Sequence, residues 1–423
     1  MRPAFRYLQV SRLPATVVLT PVVALLWVAA VFDPVGKFLS IRFLALALAL
    51  VGVILIGIPA LLSRHNFRLG WREAAVVCTL LWLPGFGLLM YAIRGTDAAF
   101  TDTSYIAAGL LLTTTWLYAD ARGTARGVTV MLLCLRLLAA SVIATYPILA
   151  LAGDDAWLAP LSEGDVALFG FRQYGSVTLP YIYFLASPML VFLVAYEAQA
   201  LREYPTTRRM LSCGFAVFAL GLSGTRAHLI IACLYLPVYF MATSNSKHRI
   251  AVRLASAIAL TATLAAASPI IGEFLDAGET SNSMKLQALE RYEEIFSDSA
   301  VLLFGQGFNA HTWSNPLQQM IATENDATKT ELTYLELVRV FGVIGALPYF
   351  GLLVGLVLAS ARLPQQHAWF RPAFIVSLFN SSLNPYLFST NGMLPMALLL
   401  GLIASNSVTI NAKSANTKMC WPP

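Results

Sequence analysis

The residues of chemical interest in this chain are charges set where charge is expensive. Arg42, Arg136, Arg226 and Arg339 fall within or at the edges of long apolar runs. Placing such a side chain at the centre of a bilayer costs about 2.5–3.5 kcal/mol on insertion scales, so each needs a reason to be there. Arg42 lies within a turn of the expected end of its run, where a long side chain snorkels to the interface. Arg136 sits near the middle of Gly127–Ala152 with no acid beside it in sequence. It must face a polar cavity, a carboxylate on another helix or an anionic headgroup, and it counts among the candidate ligand contacts. Arg226 stands in Gly221-Leu222-Ser223-Gly224-Thr225-Arg226-Ala227, between two apolar runs. Small residues let backbones approach closely, and helix-end N–H groups beside a guanidinium make an anion site. A tight helical hairpin with an interfacial arginine is the other reading.

A second group of charges opens a later apolar run. Between Thr330 and Gly345 the chain carries Glu331, Glu336 and Arg339. Glu336 and Arg339 have the i,i+3 spacing of a helix ion pair. Glu331 falls at the expected helix N-terminus, where the dipole favours a carboxylate even without chemistry. Upstream, Met284–Phe296 has Leu286, Leu289, Tyr292 or Ile295, and Phe296 on one helical stripe. Lys285 lies near that stripe and is a candidate contact for an anion; Arg291 has Glu290, Glu293 and Glu294 close by and reads as a paired surface residue.

Several chemistries have no residues to carry them. The sequence contains no Walker-type phosphate loop, no dinucleotide fingerprint, no His-Glu-x-x-His and no Asp-x-Asp. Gly221-Leu222-Ser223-Gly224 falls one residue short of a nucleophile elbow. The five histidines do not cluster, and the five cysteines have neither metal-ligand nor redox spacing. No metal or cofactor is expected.

The elements that must position these residues are membrane helices. Of 423 residues, 58% are hydrophobic and 12% charged, and the mean hydropathy is +0.69. Soluble domains carry roughly 25% charged residues, so the solvent here is lipid. Uncharged runs such as Leu44–Leu62 and Val177–Tyr196 reach the ~20 residues that cross a hydrocarbon core. The first run, near 13–32, follows Arg2, Arg6 and Arg12 and reads as a retained span. The expected fold is an all-α polytopic membrane protein of about 12 transmembrane helices, with one large outer loop containing short helices. Spans are expected near 13–32, 39–62, 74–93, 104–120, 127–152, 176–198, 210–224, 227–243, 252–271, 332–358, 372–388 and 391–406. This divides the chain into membrane helices over 1–271, a large loop at 272–330, membrane helices over 331–406 and a tail at 407–423; a shorter acidic outer loop covers about 153–175. With both termini cytoplasmic, the majority of the 28 Lys and Arg residues fall in inside segments. The formal charge of +6 therefore records orientation, and nucleic acid is not an expected partner.

The outer-side residues also match a known pattern. Leu222-Ser223-Gly224-Thr225-Arg226-Ala227 resembles the arginine motif of the O-antigen polymerase and O-antigen ligase superfamily. Leu302-Leu303-Phe304-Gly305-Gln306-Gly307-Phe308 resembles the glycine-containing segment of that superfamily's large periplasmic loop. Glu331-Leu332-Thr333-Tyr334-Leu335-Glu336 through Phe341-Gly342-Val343-Ile344-Gly345 resembles the element that follows the loop. The three occur in the expected order over about 175–350. Ligases carry a histidine where this chain has Glu331, and Leu179-Pro180-Tyr181-Ile182-Tyr183-Phe184 is similar to a polymerase segment, so the likeness is to the polymerase branch.

The resemblance implies a glycosyltransferase of the bacterial inner membrane that joins polyprenyl-diphosphate-linked oligosaccharide repeat units at the periplasmic face. It implies Glu331 and Arg226 as catalytic residues, with Arg226, Lys285, Arg339, Tyr334 and Arg136 toward the diphosphate and sugar. The partners it implies are the lipid-linked oligosaccharide, membrane lipid and a chain-length regulator. A ligase, or a transporter of a lipid-linked saccharide, remains open at this stage.

Overall fold

The computed structural model describes residues 13–37, 41–52, 77–94, 121–152, 158–164, 166–174, 177–243, 253–262, 280–308, 332–382 and 387–418, together with the isolated positions 54, 75 and 111. Most of the described chain is helix. In order these are α1 (Leu13–Phe32), α2 (Ile41–Gly52), α3 (Leu83–Arg94, entered through a π-helical turn at Val77–Trp82), α4 (Ala121–Ala152) and the short α5 (Ala159–Glu163). After a hairpin come α6 (Leu190–Glu203), α7 (Thr207–Leu222), α8 (Arg226–Thr243), α9 (Arg253–Ala262), α10 (Thr280–Phe296) and α11 (Ser299–Phe304). The last three are α12 (Thr333–Ser360), α13 (Phe370–Asn380) and α14 (Thr390–Lys418).

Three helices among the described residues are long and apolar enough to cross a membrane: Thr124–Leu151, Arg226–Thr243 and Thr333–Ser360. Shorter apolar helices occur at Thr20–Phe32, Ile41–Gly52, Val77–Ile93, Arg253–Ala262 and Asn391–Asn406. Each long helix contains one internal proline, Pro147, Pro237 or Pro348. Such prolines are tolerated where neighbouring helices satisfy the freed carbonyl. Leu133 and Leu137 on α4, and Leu347, Val354 and Leu358 on α12, stay exposed in stripes that suit hydrocarbon.

The core lies where α4, α6, α12, α13 and α14 meet. Phe192 and Phe370 cross there with centroids 5.1 Å apart, and Tyr196 meets Trp369 edge-on at 5.5 Å. Around this centre, α1 packs on α2 and α4, α7 on α6 and α8, and α11 on α12. The α1–α2 turn is held by a buried carboxylate: Asp33 Oδ2 accepts from the Ile41 N–H at 2.9 Å, and Arg42 donates to the Pro34 carbonyl at 2.7 Å. Arg42 thus reaches back over its own helix end, as its place near that end predicts.

The structure departs from the expected spans at four places. Residues 177–184 open no helix. They form β2 (Val177–Phe184), paired antiparallel with β1 (Ala167–Tyr174) in a register that sets Ala167 opposite Phe184 and Tyr174 opposite Val177. This apolar run turns helical only after the strand, through a 3-10 turn at Ser187–Met189 that leads into α6 at Leu190. The expected span 332–358 is present but broken, because Gly342 has φ 62° and ψ 176°. The expected span 372–388 ends as helix at Asn380, whose side chain is used elsewhere. The last helix runs past 406 to Lys418, through most of the expected tail. The expected span 104–120 lies, apart from Leu111, outside the described residues, and so do 263–271 of the expected span 252–271 and 272–279 and 309–330 of the expected large loop 272–330.

Candidate functional site

The arginine motif is the turn between α7 and α8. Gly224 has φ 79°, a left-handed conformation, and the Tyr181 side chain of β2 fills the space a Cβ would need. Tyr181 in turn lies against Gly170 of β1, so the hairpin buttresses the turn from one side. Thr225 caps the new helix, its Oγ1 accepting from the His228 N–H at 3.1 Å. Ser223 donates to the Leu220 carbonyl at 2.6 Å and meets His228 Nδ1 at 2.8 Å, while Asn380 Nδ2 lies 3.1 Å from His228 Nε2. These contacts agree if Nδ1 carries the proton and gives it to Ser223, leaving Nε2 to accept from the Asn380 amide. Arg226 is the first residue of the helix so capped and is nine-tenths buried. The helix so capped therefore begins with a buried arginine.

The glycine segment and the element after it are interlocked. The Gln306 N–H donates to the Arg339 carbonyl at 2.7 Å and the Gly307 N–H to the Val340 carbonyl at 2.9 Å. Those carbonyls precede the break at Gly342 and would otherwise lack the partners an unbroken helix gives them. The approach is so close that a Cβ on Gly305 would overlap the Val340 backbone, and one on Gly342 the Leu303 carbonyl. Side chains repeat the join. Arg339 donates through Nε to Glu336 Oε2 at 2.8 Å, through one terminal nitrogen to Oε1 at 2.5 Å, and through the other to Gln306 Oε1 at 3.1 Å. The Tyr292 hydroxyl of α10 donates to Glu336 Oε2 at 2.9 Å. On the far side Trp82 donates to the Gly345 carbonyl at 2.8 Å, and Phe308 meets Phe341 edge-on at 5.6 Å.

Both assemblies dock on the last turn of α13. Tyr334 near the start of α12 donates its hydroxyl to the Leu378 carbonyl at 2.7 Å, and Asn380, two residues on, holds His228. The start of α12 and the start of α8 thus share one end of the helix bundle.

The expected site residues distribute as follows. Arg226, Tyr334 and Arg339 belong to this end of the bundle, with Arg339 wholly engaged by Glu336 and Gln306. Lys285 is on α10, half-buried, two turns before the Tyr292 that reaches Glu336. The buried face of α10 is Ala288 and Tyr292 with Ile295 and Phe296 packed beside them; Leu286 and Leu289 of the expected stripe point out. Arg291 pairs with Glu294 at 2.7 Å on the surface. Arg136 is not with them. It pairs with Glu197 at 2.7 Å, and Arg209 lies 3.5 Å from the other oxygen of the same carboxylate. Arg209 begins α7 and Arg226 follows its end, so the length of α7 separates the two arginines, on the order of 25 Å at 1.5 Å per residue. Glu331 lies outside the described residues.

Sequence reading missed His228, Asn380, Gln306 and Glu197. His228 was discounted because the histidines do not cluster, although its five-residue spacing from Ser223 brackets the arginine motif. Glu197 is a lone acid in an apolar run, the natural answer to an arginine with no acid beside it. Among the described residues, no three His, Cys, Asp or Glu side chains stand together as a metal site. Comparison with protein families, with curated protein sequences and with solved structures finds no match to this chain.

Proposed function

We propose that this chain is a membrane glycosyltransferase that polymerises polyprenyl-diphosphate-linked oligosaccharide repeat units, working at the outward face of a bacterial inner membrane. The supporting observation is the meeting of the arginine turn and the start of α12 on the last turn of α13, through Asn380–His228 and Tyr334–Leu378. Two segments that resemble the family's motifs thereby stand at one end of the bundle, and the third is built into the break of α12.

The chemistry asks for little beyond this. The acceptor hydroxyl oxygen bonds to the anomeric carbon of the donor sugar, and the carbon–oxygen bond to the diphosphate breaks. Its electron pair leaves on the polyprenyl diphosphate, and the hydroxyl proton passes to a base. Arg226 at the α8 start offers bidentate donors for the departing diphosphate. Glu336 is committed to Arg339 and Tyr292, so in this reading the base is Glu331.

Reconstitution of the purified protein with lipid-linked repeat units tests the reading by the ladder of chain lengths formed. Wild type gives a ladder, Arg226→Ala abolishes it at normal protein level, and Arg226→Lys, which keeps charge without the fork, retains only a small part. Glu331→Gln lowers elongation by roughly 10²-fold. Translocation of the lipid-linked unit without elongation would instead identify a transporter, and transfer of whole chains to a lipid A core a ligase.

A further inference from the structure

A cleft of about 720 Å³ runs along α8 and α13, away from the arginine turn. Its long walls are apolar, from Ile231 and Leu234 on one side to Ile375 and Phe379 on the other. Phe379 and Val238 leave large surfaces exposed along it. One end is different. Arg202 of α6 and Arg371 in the first turn of α13 both line it there. The Arg202 guanidinium lies over the Tyr239 ring, 5.9 Å from its centroid. Beside them Gln199 donates to Glu203 at 2.8 Å and to the Gln365 carbonyl at 2.5 Å, so the Glu203 carboxylate is engaged by an amide. One helical turn deeper, Tyr235 stacks on Tyr239 at 5.9 Å, and its buried hydroxyl has no hydrogen-bond partner.

We propose that this cleft holds one glycerophospholipid with an anionic headgroup, its phosphate between Arg202 and Arg371. The charge at the mouth selects the headgroup. The depth selects the anchor. Ile230 to Thr243 spans about 20 Å at 1.5 Å per residue, against about 15 Å for half of a hydrocarbon core, so the cleft suits a chain from one leaflet. The orphan phenol selects the class of lipid. A glycerophospholipid carries ester carbonyls just below its phosphate, where Tyr235 needs an acceptor; a prenyl phosphate carries none. This site lies at the end of α8 opposite Arg226 and is independent of the polymerase reading.

Native mass spectrometry of the detergent-purified full chain, titrated with dioleoyl phosphatidylglycerol or dioleoyl phosphatidylcholine, tests it. The expected result is retention of phosphatidylglycerol at about tenfold or more lower concentration than phosphatidylcholine. Arg202→Ala with Arg371→Ala removes the preference, and the paired lysine substitutions restore it, which separates lost charge from lost fold. Tyr235→Phe weakens retention of both lipids several-fold and leaves the headgroup preference intact. Equal retention of the two lipids by wild type overturns the proposal, as does a preference that survives in the double alanine variant. Displacement of phosphatidylglycerol by polyprenyl phosphate with equal ease in wild type and Tyr235→Phe overturns the choice of occupant.

Discussion

Glu336 and Glu197 are both carboxylates held inside an apolar helix bundle by arginine, yet the two arrangements are built differently. Glu336 has its cation three residues away on the same helix. Both side chains are buried, and every lone-pair direction in use is met by Arg339 or Tyr292. Glu197 is 1% exposed, but its two cations come from α4 and α7 and are 44% and 37% exposed. The first is a closed unit that also carries Gln306, and through it the break in α12. The second is a buried anion whose cations line a polar pocket of about 480 Å³, with Arg208 and Tyr196 beside them, in reach of water. Burying both partners makes each indispensable, whereas leaving the cations half in water makes them partly interchangeable.

Substitution separates the two designs. The largest effect is expected at the seam beside Glu336. Gly342→Ala forces a Cβ into the Leu303 carbonyl in a left-handed conformation, and the chain should fail to give monodisperse protein on size-exclusion chromatography. Next comes Arg339→Ala, which strands a buried carboxylate. A loss of about 3–5 kcal/mol is expected, read as a large fall in thermal unfolding temperature in detergent. Arg136→Ala should cost far less, about 1 kcal/mol or below, because solvent screens the half-exposed guanidinium and Arg209 remains beside Glu197. A double variant lacking Arg136 and Arg209 should then lose much more than the two singles together. If Arg136→Ala proves as damaging as Arg339→Ala, the contrast fails. The smallest effect is expected at Arg291, whose surface i,i+3 pair with Glu294 should contribute no more than about 0.5 kcal/mol.

What was legible in the sequence divides along the same line. Local spacing gave the Glu336–Arg339 pair, a nearby acid for Arg291 without saying which of three, the helix over 284–296 and the apolar runs that became α4, α8 and α12. Interactions between distant segments were not legible. Arg136 demanded a carboxylate on another helix, but nothing local named Glu197. The run from Val177 to Tyr196 read as one membrane span because an unbroken apolar stretch has no period to distinguish strand from helix. The available signal lay just before it, where Gly175-Ser176 separates two aromatic-rich segments by the two residues of a tight hairpin. The break at Gly342 was invisible for another reason. A glycine within a helical run says only that it weakens the helix, and the segment that repairs the break lies before α12 in the chain.

That repair also fixes an order of maturation. Gly305-Gln306-Gly307 leaves the ribosome ahead of α12, and the Gln306 and Gly307 N–H groups do not meet the Arg339 and Val340 carbonyls until that helix follows. Nor does α12 have a complete ladder through Gly342 without the tripeptide. A chain arrested or cut between them would carry backbone polar groups on both stubs without the partners they have in the fold. α11, the tripeptide and the start of α12 should therefore become resistant to proteolysis together or not at all.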